Sequence, residues 1–247
     1  MTPHVSSQHR PPSRSAVLDD EKGARDVNAL DLDGLLTFWG RRWDDILELV
    51  LQHLAVVALS LLIATIVGVL VGILVWNRPV PRSLTIAAAG VALTIPSLAL
   101  LALITPVFGL GWTPTVLSLV FYSLLPIVRN TVVGLREVSP AIMESAKGMG
   151  MSPAKILFAV QLPMAWPIIL TGVRVAAQLT IGIAAIAAYV AGPGLGQFIF
   201  QGLSSLGSKN ALNFALTGTL GVVILALVVD GAFVLISRST TSRGLRV

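Results

Sequence analysis

The 247-residue sequence contains no cysteine. No disulfide can therefore staple the chain, and no thiolate cluster can hold a metal. Charge is scarce as well: Asp, Glu, Lys and Arg make up 12% of the residues, against about 25% in soluble domains. The dipeptide Gly-Lys occurs nowhere, so the phosphate-cradling loop that ends in Gly-Lys-Ser/Thr cannot be built. Histidine stands at three positions, His4, His9 and His53, which leaves no His-Glu-x-x-His pair to grip zinc. No Gly-x-Ser-x-Gly turn is present to expose a nucleophilic serine. These gaps leave no catalytic residue to nominate and no metal or cofactor to expect on this chain. Energy for any work it does must come from another subunit.

What fills the sequence is apolar: 55% of residues are hydrophobic and the mean hydropathy is +0.85, the composition of a bilayer protein. The net charge of +5 and pI near 10.2 are compatible with a nucleic-acid partner. The basic residues, however, are scattered through the connections between apolar runs, as in membrane proteins. No nucleic acid is expected.

Residues 1–33 are polar and show no periodic apolar face, the pattern of a disordered tail. Residues 34–48 interleave Trp39, Trp43 and aliphatic side chains with charges, as in an amphipathic helix lying in the membrane interface. From Leu49 to Trp76 there is no acidic or basic residue, and about 20 such residues suffice to cross a bilayer. Gly68-Val-Leu-Val-Gly72 offers a small-residue strip for close helix packing, and His53 reads as an interfacial residue at the start of the span. The charge-free stretch 83–128 is too long for one helix, and Gly109-Leu-Gly111-Trp112-Thr-Pro114 divides it. The expected spans are then 84–107, kinked at Pro96, and 113–131, kinked at Pro126. A fourth runs from near Trp166 to Ala191, the glycine-rich 192–196 turns the chain, and a fifth covers 211–237. The fold class expected is an all-α membrane protein with about five spans occupying 49–237, followed by a basic tail, 238–247.

Five spans place the termini on opposite sides. Arg78, Arg82, Arg129, Arg136, Lys147, Lys155, Arg238, Arg243 and Arg246 fall in connections on one side, whereas Lys209 stands alone in the other side's short loops. The excess of positive charge marks the cytoplasmic side, which puts the N-terminus outside and the C-terminus inside. Two ionisable residues, Arg174 and Asp230, lie within the last two spans at similar depth. Charges there need partners or water. The expectation is a structural ion pair; a proton relay is the sharper alternative.

The connection at 139–162 is the one long charged segment in the second half. Ser139 with Pro140 and Ser152 with Pro153 each read as a helix start. Gly148 and Gly150 tolerate the positive φ that ends a helix, and Pro163 should break the second helix. Two short helices meeting at a corner would form a stiff knob for docking, unless they merely connect two spans.

Glu144-x-Ala146, then Gly150, then Val160-x-Leu162-Pro163 resembles the EAA signature of ABC-importer membrane subunits, with Ser145 and Val160 replacing the usual Ala and Ile. Thr94-Ile-Pro96-Ser, Tyr122-Ser-Leu-Leu-Pro126-Ile-Val-Arg129-Asn130-Thr131 and Gly172-Val-Arg174 are similar to the osmoprotectant branch, permeases for glycine betaine, choline, carnitine and related quaternary amines. The resemblance covers residues 35–237 and implies a type I (MetI-like) permease fold in a bacterial inner membrane. It further implies a second permease subunit, identical or paralogous, an extracytoplasmic solute-binding protein, and a cytoplasmic ATPase dimer that carries the ATP and Mg. In such proteins the corner is the coupling helix pair. Glu144 and Lys147 would then offer polar contacts to the ATPase and Ile142 and Met143 apolar ones. Gly150 would form the tight turn, while Ala146, Leu162 and Pro163 complete the signature. Quaternary amines are usually gripped by aromatic cages, and the spans hold few aromatics. Specificity is therefore expected in the binding protein, and no substrate-binding residue is assigned. The alternatives are a permease for another small solute such as an amino acid, and an ATP-independent carrier or channel.

Overall fold

A computed structural model describes residues 32–240. Most of the expected disordered tail, 1–33, and most of the basic tail lie outside the described residues; Leu32 and Asp33 are helical. Every regular element among the described residues is helical, as the bilayer demands: in hydrocarbon a helix satisfies its own backbone, whatever its β-branched content.

Helix α1 spans Leu32–Arg41 and α2 spans Trp43–Val75. The expected interfacial helix, 34–48, is thus divided at Arg42, and its second part belongs to the first span. The reason is packing. Trp39 Nε1 donates to Thr217 Oγ1 at 2.8 Å, Phe38 meets Phe214 edge to face at 4.8 Å, and the Arg42 guanidinium lies 4.9 Å from the Phe214 ring centroid. These side chains pack on the last helix, while Leu36 and Trp43 stay exposed. At 33 residues α2 is about 50 Å long, so it projects beyond a core of about 30 Å, and its projecting end carries Asp44, Asp45 and Glu48.

The next apolar segment is a bent pair, α3 (Pro79–Ala92) and α4 (Ser97–Phe108), meeting at 92°. Pro96 therefore breaks this segment where a kink was expected. With no N–H of its own, Pro96 takes an extended ψ of 135° at the α4 N-cap. The Ile95 carbonyl that this turns outward accepts the Tyr122 hydroxyl at 2.6 Å. Helix α5 then runs unbroken over Trp112–Glu137, through Pro126 and well past the expected end at 131.

After the corner, α6 (Pro140–Gly148) is followed by α7 (Pro153–Ile156), a π-helical turn (Leu157–Gln161) and α8 (Leu162–Ala187). These last three, with a 3-10 turn (Ala188–Val190), form one continuous rod, Pro153–Val190, of 38 residues. Pro163 does not break it. A proline ring collides with the carbonyl four residues earlier, here Ala159, and the wider π turn lies across that position. A short helix, α9 (Gly196–Ser204), which the glycine-rich pattern concealed, precedes α10 (Ala211–Thr240).

Helix α5 is the centre of the bundle, with α2 on one side and α8 on the other. Glycine lets the backbones close. A Cβ on Gly68 would stand 2.7 Å from Ile127 Cγ2, and one on Gly72 2.6 Å from Thr131 Cγ2. The small-residue strip is therefore a packing face. His53 is not interfacial: it is fully buried, and its Nε2 donates to the Ile181 carbonyl at 3.1 Å. The turn at 192–196 folds back onto it, and a Cβ on Gly194 would meet His53 Cβ at 2.7 Å.

Candidate functional site: the corner between two spans

The corner is built by backbone rules. Gly150 has φ +74°, a left-handed value that favours glycine. Its N–H bonds the Lys147 carbonyl at 2.9 Å, and the Met151 N–H bonds the Ala146 carbonyl at 3.2 Å. That pair of bonds is the Schellman closure of α6. A Cβ at Gly150 would meet nothing within 4 Å, so backbone conformation, not space, selects glycine here. Gly148 is the last helical residue. On the far side, Ser152 Oγ accepts the Lys155 N–H at 3.3 Å and Pro153 fills the first turn of α7. Ser139 differs from its expectation: it occupies the N-cap of α6, but its side chain makes no capping bond.

The corner faces two ways. Ala146 (2% exposed) and Ile156 (4%) are buried toward the bundle, while Ile142 (38%) is exposed, as are Glu144 and Lys147. Met143 is half-buried, Leu162 likewise, and Pro163 is exposed. Between the corner and the ends of α2 and α5 lies a cavity of about 880 Å³, reached by Trp76, Arg136, Met143, Glu144, Lys147 and Gln161. Glu144, Ala146 and Gly150 thus lie on the corner, and Leu162 and Pro163 on the helix that leaves it. Because α7 and α8 form one rod, a push on the knob acts directly on a helix about 57 Å long.

Within the spans, Arg174 and Asp230 are brought together. Arg174 donates Nε–H to Asp230 Oδ1 and an Nη2–H to Oδ2, both at 2.6 Å, a bidentate fork. Both side chains keep partial exposure, 42% and 34%. Gln178 was not anticipated. It stands one turn beyond Arg174 on α8, the spacing that shares a helix face, and its Nε2 donates to Asp230 Oδ1 at 3.2 Å. Pro96 and Pro126 do not join either site. Tyr122 is buried against the bent pair. Arg129 was assigned to a connection, but it lies inside α5, more than two turns before Glu137. Among the described residues no group of three His, Cys, Asp or Glu side chains could hold a metal.

Comparison with known proteins gives a consistent picture. Residues 64–242 match the family model described as binding-protein-dependent transport system inner membrane component. The osmoprotectant import permease protein OsmW of Salmonella typhimurium is 37% identical over 204 residues, 81% of this chain and 93% of that one. The carnitine transport permease protein OpuCB of Listeria monocytogenes is 35% identical over 215 residues, 87% and 97% of the two chains. The choline transport system permease protein OpuBB of Bacillus subtilis is 34% identical over 195 residues, 79% and 88%. Among solved structures, an inward-facing MetNI methionine ABC transporter superposes with a TM-score of 0.70 at 24% identity, covering 80% of this chain and 96% of that one.

Proposed function

The chain belongs to the family of binding-protein-dependent transport system inner membrane components, and from that premise we propose that it carries quaternary-ammonium osmoprotectants. As a member it is a multi-pass inner-membrane permease of an ABC importer, working with an ATPase and a binding protein. The solutes are glycine betaine, choline or carnitine. Carrying this reading is the agreement of the three relatives named above, each aligned over more than three quarters of this chain and each named for an osmoprotectant, choline or carnitine.

The knob at 139–162 docks on the ATPase dimer, which holds the ATP and Mg. Ile142 and Met143 make the apolar contacts and Glu144 and Lys147 the polar ones, while Gly150 keeps the corner sharp and Ala146, Leu162 and Pro163 seat it. Closure of the ATPase displaces the knob, and the α7–α8 rod carries the displacement into the membrane. The knob faces the cytoplasm with the C-terminus, and the N-terminus lies outside, in keeping with the excess of Arg and Lys at the knob end. A second permease subunit completes the pore. The Arg174–Asp230 fork locks α8 to α10, so that both move with the knob.

Reconstitution of the chain with its ATPase, partner permease and binding protein in proteoliposomes tests this. ATP should drive uptake of labelled glycine betaine, choline or carnitine, and inactivating the ATPase should abolish it. Uptake without ATP, or of an amino acid alone, overturns the reading.

A further inference from the structure

Among the described residues, three charged side chains lie more than two turns from either end of a spanning helix: Arg129, Arg174 and Asp230. The last two satisfy one another. Arg129 has no hydrogen bond or ion pair among the described residues. It comes eight residues before Glu137, the last residue of α5, about 12 Å along the axis from the end nearer the corner. It is nonetheless exposed on this chain. Without a side-chain partner of its own, the guanidinium opens onto a cavity between helices, where an anion can answer it.

The surroundings define which anion. Arg129 lines a cavity of about 440 Å³ with Asn130 and Val133 of α5, Val175 and Leu179 of α8, and Leu93 from the bend between α3 and α4. Asn130 spends one amide N–H on the Pro126 carbonyl at 2.8 Å, and Gly172 lets α8 pack directly against it. One wall therefore supplies a guanidinium beside a side-chain amide, which offers one further N–H and its oxygen, and the remainder is apolar. Asp230, the one carboxylate deep within a spanning helix among the described residues, is already held by Arg174 and Gln178. The complementary ligand is small, anionic at one end and apolar over the rest of its surface. A carboxylate joined to a methylated ammonium group has that form, and the cavity lies in the usual size range for small-ligand sites.

We infer that Arg129, with Asn130, is a station on the translocation path that holds the carboxylate of zwitterionic osmoprotectants and gives choline, which has none, no hold. This rests on the osmoprotectant reading above. The charged donor is the specificity-determining part, and the apolar wall admits the methylated head of either solute.

The test uses the full transporter with saturating binding protein in proteoliposomes. R129Q should lower the maximal uptake rate of glycine betaine at least tenfold and leave choline within twofold of the parent, and R129K should recover most of the glycine betaine rate. Equal losses for both solutes, or no loss for either, overturn the inference. A second measurement needs no transport. In the detergent-purified complex, glycine betaine but not choline should protect Arg129 from modification by phenylglyoxal, read by mass spectrometry of the Arg129 peptide. Failure of protection overturns the site. A parent complex that moves neither solute overturns the osmoprotectant reading, and the protection result still decides the site.

Discussion

Two bends in this chain are made with the same residue type and have opposite mechanical character. At the corner between α6 and α7, Pro140 and Pro153 start helices, and the intervening turn closes on its own backbone through Gly150 and Met151. Its inner face is buried through Ala146 and Ile156, and its outgoing helix is continuous with a span. At the bend between α3 and α4, Pro96 interrupts a span, and none of the residues of α3 is buried. The links from that bend to the bundle are the Tyr122 hydroxyl on Ile95 and, on α4, the buried Leu100 and Leu101, the latter packed with Ala187 and Val190. A bend closed by its own backbone and rooted in the core transmits force. A bend with one arm buried and the other unburied can yield to force on its unburied side. One chain thus carries a stiff input and a compliant segment beside the Arg129 cavity.

The contrast breaks most readily at Gly150. A β-branched residue is a genuine outlier at positive φ, so Gly150→Val should distort the Schellman turn and displace the knob. ATP-driven uptake should fall more than tenfold while the protein still inserts in the membrane, as judged by uptake assays beside membrane-fraction blots. Normal uptake would show that the corner's stiffness is irrelevant to transport.

Next in size is the fork that ties α8 to α10. Arg174→Gln and Asp230→Asn should each lower the thermal midpoint of the purified transporter, since each leaves a charge without its partner in the membrane. The double variant should be less destabilised than the sum of the two. Strict additivity would mean that the fork contributes nothing to locking the rod.

Much of this was legible in the sequence because it depends on local rules. The corner could be read from Pro140, Gly150, Ser152 and Pro153, whose roles follow from missing donors, positive φ and capping. The long spans could be read from charge-free length. The pairing of Arg174 with Asp230 could be read from depth alone, since hydrocarbon leaves a charge few alternatives. What escaped depends on tertiary packing. Arg42 divides the first helix because Phe214 and Thr217 await it and its neighbours. The π turn that carries the rod through Pro163 has no sequence marker comparable to a glycine. His53 looked interfacial because the turn that buries it lies some 140 residues later. The severity of the bend at Pro96 is likewise set outside the segment, by an acceptor site for a hydroxyl on α5.

That hydroxyl gives the third prediction. Tyr122→Phe removes one hydrogen bond and keeps the ring in its buried place, a loss of about 1 kcal/mol. The effect should be local: spin labels at Leu93 and on α5 should report a broader distance distribution, while the thermal midpoint moves little. An unchanged distribution would mean that the bend is held by something other than Tyr122.

The smallest effect distinguishes two serines that look equivalent in the sequence. Each precedes a proline at the start of a helix, but Ser152 accepts a backbone N–H and Ser139 makes no capping bond. Losing a working serine cap costs about 1 kcal/mol. Ser152→Ala should therefore lower the thermal midpoint measurably and slow uptake, because the cap fixes the angle at which the rod leaves the corner. Ser139→Ala removes a hydroxyl that caps nothing and should match the parent in both measurements. Equal losses from the two would place a second working cap at Ser139 and spread the corner's stiffness over both helix starts, whereas a loss confined to Ser152 locates it on the side that continues into the membrane.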